Sequence, residues 1–274
     1  MPAAAAWWDC DWDYRKSVTV QSSAIESDLA DFPVLVRLDA DADLAARARA
    51  DGRDIAFVAD DHATRLDHEI ESFSNTHGAL AAWVRIPLVS SGTDTLFYLY
   101  YGNAGAADQQ NAAGVWSAGY EGVWHFSQSG GTGAYLTNSA SDAYHGTPSG
   151  TSFAAGIIDH ARRFADSGVE RVDFASSGAL CDGWSEFSVE LWINPDYPSD
   201  AAYESGGGDV VEKGGSIQYG RTWRESWSPA GIGFFQIDVR FASAGWRYWR
   251  VNIQRRAWNH VVYSHDGNEY RPFV

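Results

Sequence analysis

Three stretches far apart in the chain share one pattern. In YRKSVTV, Tyr14, Lys16, Val18 and Val20 alternate with Arg15, Ser17 and Thr19. In FSVELWIN, Phe187, Val189, Leu191 and Ile193 alternate with Ser188, Glu190, Trp192 and Asn194. In FFQIDVRF, Phe235, Ile237, Val239 and Phe241 alternate with Gln236, Asp238 and Arg240. A period of two puts successive side chains on opposite faces of a strand and cannot give a helix one apolar face. The composition agrees, with 13 each of Trp, Tyr and Phe, 27 glycines and a single Met. Such a chain suits aromatic-rich sheets joined by tight turns. Only DLAARARADG, residues 43–52, reads as a helix, with Leu44, Ala45 and Ala48 on one face and Gly52 past its end. At 274 residues the expectation is an all-β fold in two domains.

The division is expected within residues 93–126. LFYLYYG is strand-like, GNAGAADQQNAAG has almost nothing to bury, and VWSAGYEGVWHF is aromatic again and reads as a strand. This gives a first β domain over 7–103, a linker over 104–118 and a second β domain over 119–274. Within the first, residues 54–58 and 66–73 read as a hairpin about the turn Asp60-Asp61-His62-Ala63, with a second turn at Asn75-Thr76-His77-Gly78. The next strand, ALAAWVRIPL, is expected to end at Pro87. In the second, further strands are expected at GGDVVEKGG, GIGFFQIDVRFA, WRYWRVNIQ and WNHVVYSHDG.

The formal net charge of −16 is unevenly spread: residues 1–220 hold 32 acidic and 12 basic side chains, a net of −20, while 221–274 hold 4 acidic and 8 basic, a net of +4. That acidity argues against nucleic acid or an anionic membrane as a partner. It weighs too against the interleaved GWRYWRVNIQRRAW acting as a single-strand stacking surface. No apolar run is long enough to cross a membrane as a helix. Two cysteines, Cys10 and Cys181, make neither a disulfide framework nor a zinc site; in an exported protein they could pair and tie the two domains together, the alternative being two unrelated thiols. Ala4-Ala5-Ala6 looks like the tail of a cleavage site, which makes a trimmed signal peptide and an extracytoplasmic location the expectation.

Six blocks carry a family likeness: WDCDWDYR at 8–15, DFPVLV at 31–36, DGRDIAF at 51–57, HEIESF at 68–73, AWVRIP at 82–87 and YLYYGN at 98–103. Their order resembles an uncharacterised bacterial domain family. The resemblance implies an exported envelope protein, and some members carry a label grouping them with MotA/TolQ/ExbB proton channels, which implies an accessory role in an envelope complex. Two features here tempt a chemical reading. Asp39-Ala40-Asp41-Ala42-Asp43 begins like a calcium loop but has Leu44 and Ala50 where that loop needs Gly and Glu, so the acids are better placed as a helix start. Asp67, Glu69 and Glu71 alternate onto one strand face, opposite Leu66, His68 and Ile70. A carboxylate pair can run glycoside hydrolysis, whereas the plainer expectation is a solvated acidic face.

A second set of blocks, Trp124-His125-Phe126, ARRFAD at 161–166, FSVELWINP at 187–195, VEKG at 211–214 and WNHVVYSHDG at 258–267, resembles the laminin-G-like, concanavalin-A-like jelly roll. That likeness implies a sandwich with further strands after Val274. It also implies a ligand surface for a polysaccharide or cell-surface protein, with Ca²⁺ as a candidate ion. Glu190, Trp192, Asp238 and Arg240 fall on polar strand faces, and Trp223, Trp227, Trp246, Tyr248 and Trp249 are candidates to stack on sugar rings. Asp159, Asp166, Glu170 and Asp173 are the candidate ion ligands. No HExxH, C-x-x-C, G-x-S-x-G or phosphate loop is present, nor the E-x-D-x-x-E of jelly-roll glucanases. The leading expectation is therefore a non-catalytic envelope binding protein. The rival is a glycosidase using Glu69 with Glu71, or Glu190 with Asp238.

Overall fold

The computed structural model describes residues 7–117, 119–128, 136–165, 170–174, 186–195, 209–213, 217–223, 232–241, 245–254 and 256–274. It is built from antiparallel sheets, as the alternation requires. By packing, the chain divides into Met1–Leu180 and Cys181–Val274.

The first unit contains β1 (Tyr14–Val20), β2 (Leu29–Leu38), α1 (Ala42–Arg47), β3 (Ala56–Ala59), β4 (Arg65–Leu66), β5 (His68–Ser74), β6 (Ala79–Val89), β7 (Thr95–Tyr101), α2 (Ala112–Val115), β8 (Gly146–Ser149), β9 (Ser152–Ala155), β10 (His160–Arg163) and β11 (Arg171–Phe174). Two sheets, ordered β1-β7-β3-β4 and β2-β6-β5, close on a core that includes Val36, Leu44, Phe57, Leu80, Val84, Phe97 and Leu99. Tyr14, Val18 and Val20 reach this core from β1, the face that alternation assigns them. Arg15 lies on the opposite face, where Trp12 packs with Ala56, Val58, Tyr100 and Ala106 in a second cluster. The first sheet is thus covered on both sides. β8 pairs β11, and β9 pairs β10.

Four expectations change. The helix is shorter than expected because the Asp54 carboxylate accepts from Arg49 N (3.0 Å) and Gly102 N (2.8 Å), drawing the backbone away after Ala48. At its start Asp41 caps it by accepting from Asp43 N and Leu44 N, the helix-start role expected for the acidic run. The return strand of the first hairpin is split: β4 pairs β3, but from His68 onward the chain pairs β6 in the other sheet. β6 runs on through Pro87, which lies beyond the last β5 pair, His68↔Val84, where β6 has a strand on one side only. Finally, residues 119–128 form no strand. Within them the buried side chain of Asn138 accepts from Val123 N (2.8 Å) and donates to Glu121 O (3.0 Å), and it ties both to the turn beyond by donating to Ala143 O (2.9 Å). One side chain does here what a neighbouring strand would otherwise do.

The second unit contains β12 (Glu186–Ile193), β13 (Asp209–Lys213), β14 (Ile217–Trp223), β15 (Ile232–Phe241), β16 (Gly245–Gln254), β17 (Asn259–Asp266) and β18 (Tyr270–Phe273). They form sheets β12-β17-β18 and β13-β14-β15-β16. β14 and β18 were not foreseen; IQYGRTW carries Gly220 and YRPF carries Pro272, and neither has a run of alternation. Asn259, buried where β17 begins, donates to Gln254 O and Ala257 O (both 2.8 Å) and so fixes the turn from β16.

Gly78 closes the β5–β6 turn at φ +65°, and a Cβ there would lie 1.8 Å from the Asp41 carbonyl oxygen. Gly78→Ala should therefore lower first-unit stability by at least about 2 kcal/mol, since left-handed strain and a backbone clash add. Urea unfolding of the variant against wild type measures this, and an unchanged midpoint would refute it.

Candidate functional site

Glu69 and Glu71 on β5, with Asp67 just before it, face Asn111, Trp116, His125, Ser139 and the Trp83 indole. Asp67 accepts from Asn111 Nδ2 at 2.8 Å. Glu69 accepts from Trp116 Nε1 at 2.6 Å through Oε2 and from Ser139 Oγ at 2.5 Å through Oε1. Glu71 accepts from Trp83 Nε1 at 2.7 Å. The His125 imidazole lies between the last two, with Nε2 3.1 Å from Glu69 and Nδ1 3.2 Å from Glu71. The side chains of Glu69, Glu71 and His125 are only 14%, 4% and 9% exposed. The solvated acidic face is thus a covered one.

The cover follows from the local sequence. A register shift between Ile70 and Ser72 accommodates Glu71 beside Glu69. Asn111 caps α2 by accepting from Gly114 N, and its own N–H reaches His68 O at 2.9 Å. Gln110 Oε1 accepts from Ile70 N at 2.7 Å. Residues 110–111 therefore run along the outer edge of β5. Gly114 is required for the approach, since a Cβ there would stand 2.6 Å from the Asp67 carboxyl carbon. Trp83 and Trp116 pack at 5.3 Å between centroids, and both adjoin the His125 ring. The segment expected as a linker, 104–118, is held along its length: Arg49 donates to Ala104 O and Ala106 O, and Ala106, Val115 and Trp116 are buried.

Burial works against a charge on His125, but the hydrogen bonds and charges of Glu69 and Glu71 outweigh it and push its pKa up to about 9. Burial would raise Glu69, yet the bonds from His125, Ser139 and Trp116 hold it below the usual glutamate range. On the other face of β5, burial pulls His68 down to about 4, so it stays a neutral ring against Phe57. The arrangement is poor for hydrolysis. A general acid needs a raised pKa, and a glycosidase pair needs a sugar between its carboxyls. Here Glu69 is lowered and His125 fills the gap. Sequence reasoning found Glu69 and Glu71 but missed His125, Trp83, Trp116 and Ser139 as partners. The available signal was a histidine inside an aromatic block, which does not say which strand it meets.

The remaining candidates fall as follows. Glu190 and Trp192 share the exposed face of β12, and His260 stands directly opposite Trp192 on β17. Trp192 is 45% exposed and stacks on His260 at 4.8 Å with planes 26° apart. His260 Nε2 lies 3.7 Å from Glu190. Phe273, also exposed, sits opposite Val262 on the same sheet. The register of the other sheet puts Asp238 opposite Tyr248 and Arg240 opposite Trp246, with Trp223 opposite Phe234. Glu190 and Asp238 thus belong to different sheets. Trp249 pairs Ile237 on β15, and Trp227 lies outside the described residues.

Asp159 pairs with His160 at 2.8 Å and Asp173 with Arg171 at 2.8 Å, on separate two-stranded sheets from which Glu170 is also distinct as a residue preceding β11. Asp166 lies outside the described residues, among which no three His, Cys, Asp or Glu side chains are grouped to hold an ion. Cys10 is an exposed free thiol; Cys181 lies outside the described residues.

Residues 51–134 match the family model described as a domain of unknown function, DUF2341. No curated protein and no solved structure matches the chain. The matched stretch includes Asp67, Glu69, Glu71, Trp83, Trp116 and His125, and it runs on past residue 103 through the segment that covers β5. No helix among the described residues is long and apolar enough to cross a membrane.

Because His125 is raised above its unfolded value of 6.5, its stabilisation is complete below that pH and fades as pH climbs through about 9. Glu69 is displaced downward, so its share is complete above the unfolded glutamate range and fades in acid. First-unit stability should fall on the order of 3 kcal/mol between pH 6.5 and 9, from the shift to about 9. Urea melts across that range check it: His125→Gln should flatten the slope, and an identical slope in the variant would rule the clamp out. Glu69→Ala, which strands His125 and Trp116 in a buried site, should cost about 3–5 kcal/mol at pH 6.5.

Proposed function

We propose that this chain is a non-catalytic, extracytoplasmic binding protein whose second unit recognises glycans through the open face of β12 and β17. The observation that carries the reading is the exposed Trp192 ring held flat on His260, with the Glu190 carboxylate beside it. An indole fixed in this way offers an apolar plane to the C–H face of a sugar, and its stacking partner reduces the entropy lost on binding. Glu190 and His260 supply an acceptor and a donor for hydroxyl groups, while Val262 and Phe273 extend the apolar strip. The rival reading, hydrolysis, has less support. Glu69 and Glu71 are engaged with His125, and Glu190 and Asp238 stand on different sheets.

A polysaccharide array followed by calorimetry on the strongest ligand tests the reading. Trp192→Ala should weaken binding by at least about tenfold, and Glu190→Gln by less, with the unfolding midpoint unchanged in both because these side chains are exposed. Wild-type affinity in both variants, or no polysaccharide bound, would sink the proposal.

A further inference from the structure

The residues that cover the outer face of the sheet β1-β7-β3-β4 leave an open cleft of about 550 Å³, lined by Trp7, Trp8, Asp9, Cys10, Trp12 and Asp13. We propose that this cleft binds an organic cation, an alkylated ammonium group seated against the indoles and paired with the Asp13 carboxylate.

The walls are fixed before any ligand arrives. Trp12 is buried, and its Nε1 donates to Asp54 O at 2.6 Å. Trp7 Nε1 donates to Trp12 O at 3.0 Å, while the ring itself remains 41% exposed. Trp8 packs on Trp12 at 4.8 Å with planes 49° apart, and its backbone N–H is held by the Tyr100 hydroxyl at 3.2 Å. Two of the three indole N–H groups are therefore spent, and what these rings offer a ligand is their π surface.

The charge selects the ligand. The lining holds two carboxylates and no Lys, Arg or His. Asp9 turns one oxygen to Asp11 N at 2.9 Å, and the Asp13 carboxylate has no hydrogen-bond or ion-pair partner among the described residues. An anion would be repelled, and a neutral sugar would find acceptors with few donors to match. A cation meets both the acceptors and the negative faces of the rings. Rings of this cluster already attract cations from within the chain: the Arg15 guanidinium lies 4.7 Å from the Trp7 centroid, and that of Arg65 lies 5.9 Å from Trp8. The cleft belongs to the first unit and its chemistry differs from that of the Trp192 face, so neither proposal depends on the other.

Cys10, exposed in the lining, supplies the readout. The full chain is alkylated with iodoacetamide in the presence of choline chloride, of choline's uncharged carbon isostere, of a neutral disaccharide, or of sodium chloride at equal ionic strength. The proposal expects saturable protection of Cys10 by choline alone. Trp7→Ala and Asp13→Asn should each weaken that protection at least about fivefold, as the loss of one exposed cation–π or charge contact implies. Circular dichroism and an unchanged urea midpoint establish that the variants are folded, as the exposure of both side chains leads one to expect. Calorimetry with choline gives the same comparison without the thiol. Equal protection by the isostere, the disaccharide or sodium chloride, or full protection in Asp13→Asn, would overturn it.

Discussion

One imidazole between two carboxyl groups does most to shape the first unit. His125 is carried by a segment with no strand of its own, and Glu69 and Glu71 are carried by β5 at the edge of its sheet. Each alone would be an expensive group to bury. Together with the N–H groups of Trp83 and Trp116 and the hydroxyl of Ser139, they satisfy one another, and the segment is drawn down onto the sheet as a result. Asp67 and Asn111 extend the same contact toward α2. The docking of Asn111, Trp116, His125 and Ser139 on β5 is thus a matter of electrostatics and hydrogen bonding more than of apolar burial, which distinguishes it from the core between the two sheets.

That difference decides how much could be read from the sequence. Alternation is a local signal, so β1, β12 and β15 were legible as strands, and in β1 and β12 the faces of their side chains as well. Asp41 at a helix start was legible for the same reason. The covered acidic face was not, because alternation shows that Glu69 and Glu71 share a side without showing what lies over it. The strand expected within 115–126 failed on a similar point: the aromatic residues there are β-formers, but Glu121 and Val123 bond to the side chain of Asn138, and nothing in the local pattern announces it. The split of the first hairpin return at Asp67 is likewise a tertiary choice, made where β4 leaves one sheet and β5 joins the other.

The candidate surfaces differ in kind. The clamp is closed, and its polar atoms are spoken for within the fold. The Trp192 face and the Trp7–Asp13 cleft are open, and in each an aromatic ring is held in place by a neighbour that leaves part of it exposed. Preorganised rings with an adjacent carboxylate suit recognition better than bond cleavage, and the polar groups beside them suit different ligands. Glu190 shares its face with a histidine, while the Asp13 carboxylate makes no hydrogen bond or ion pair among the described residues.

The run of Gln110 and Asn111 along β5 has a further meaning. These two residues occupy main-chain groups that an edge strand would otherwise present to any extended peptide. The docked segment therefore leaves the Ile70 N–H and the His68 carbonyl on that edge closed to an added strand.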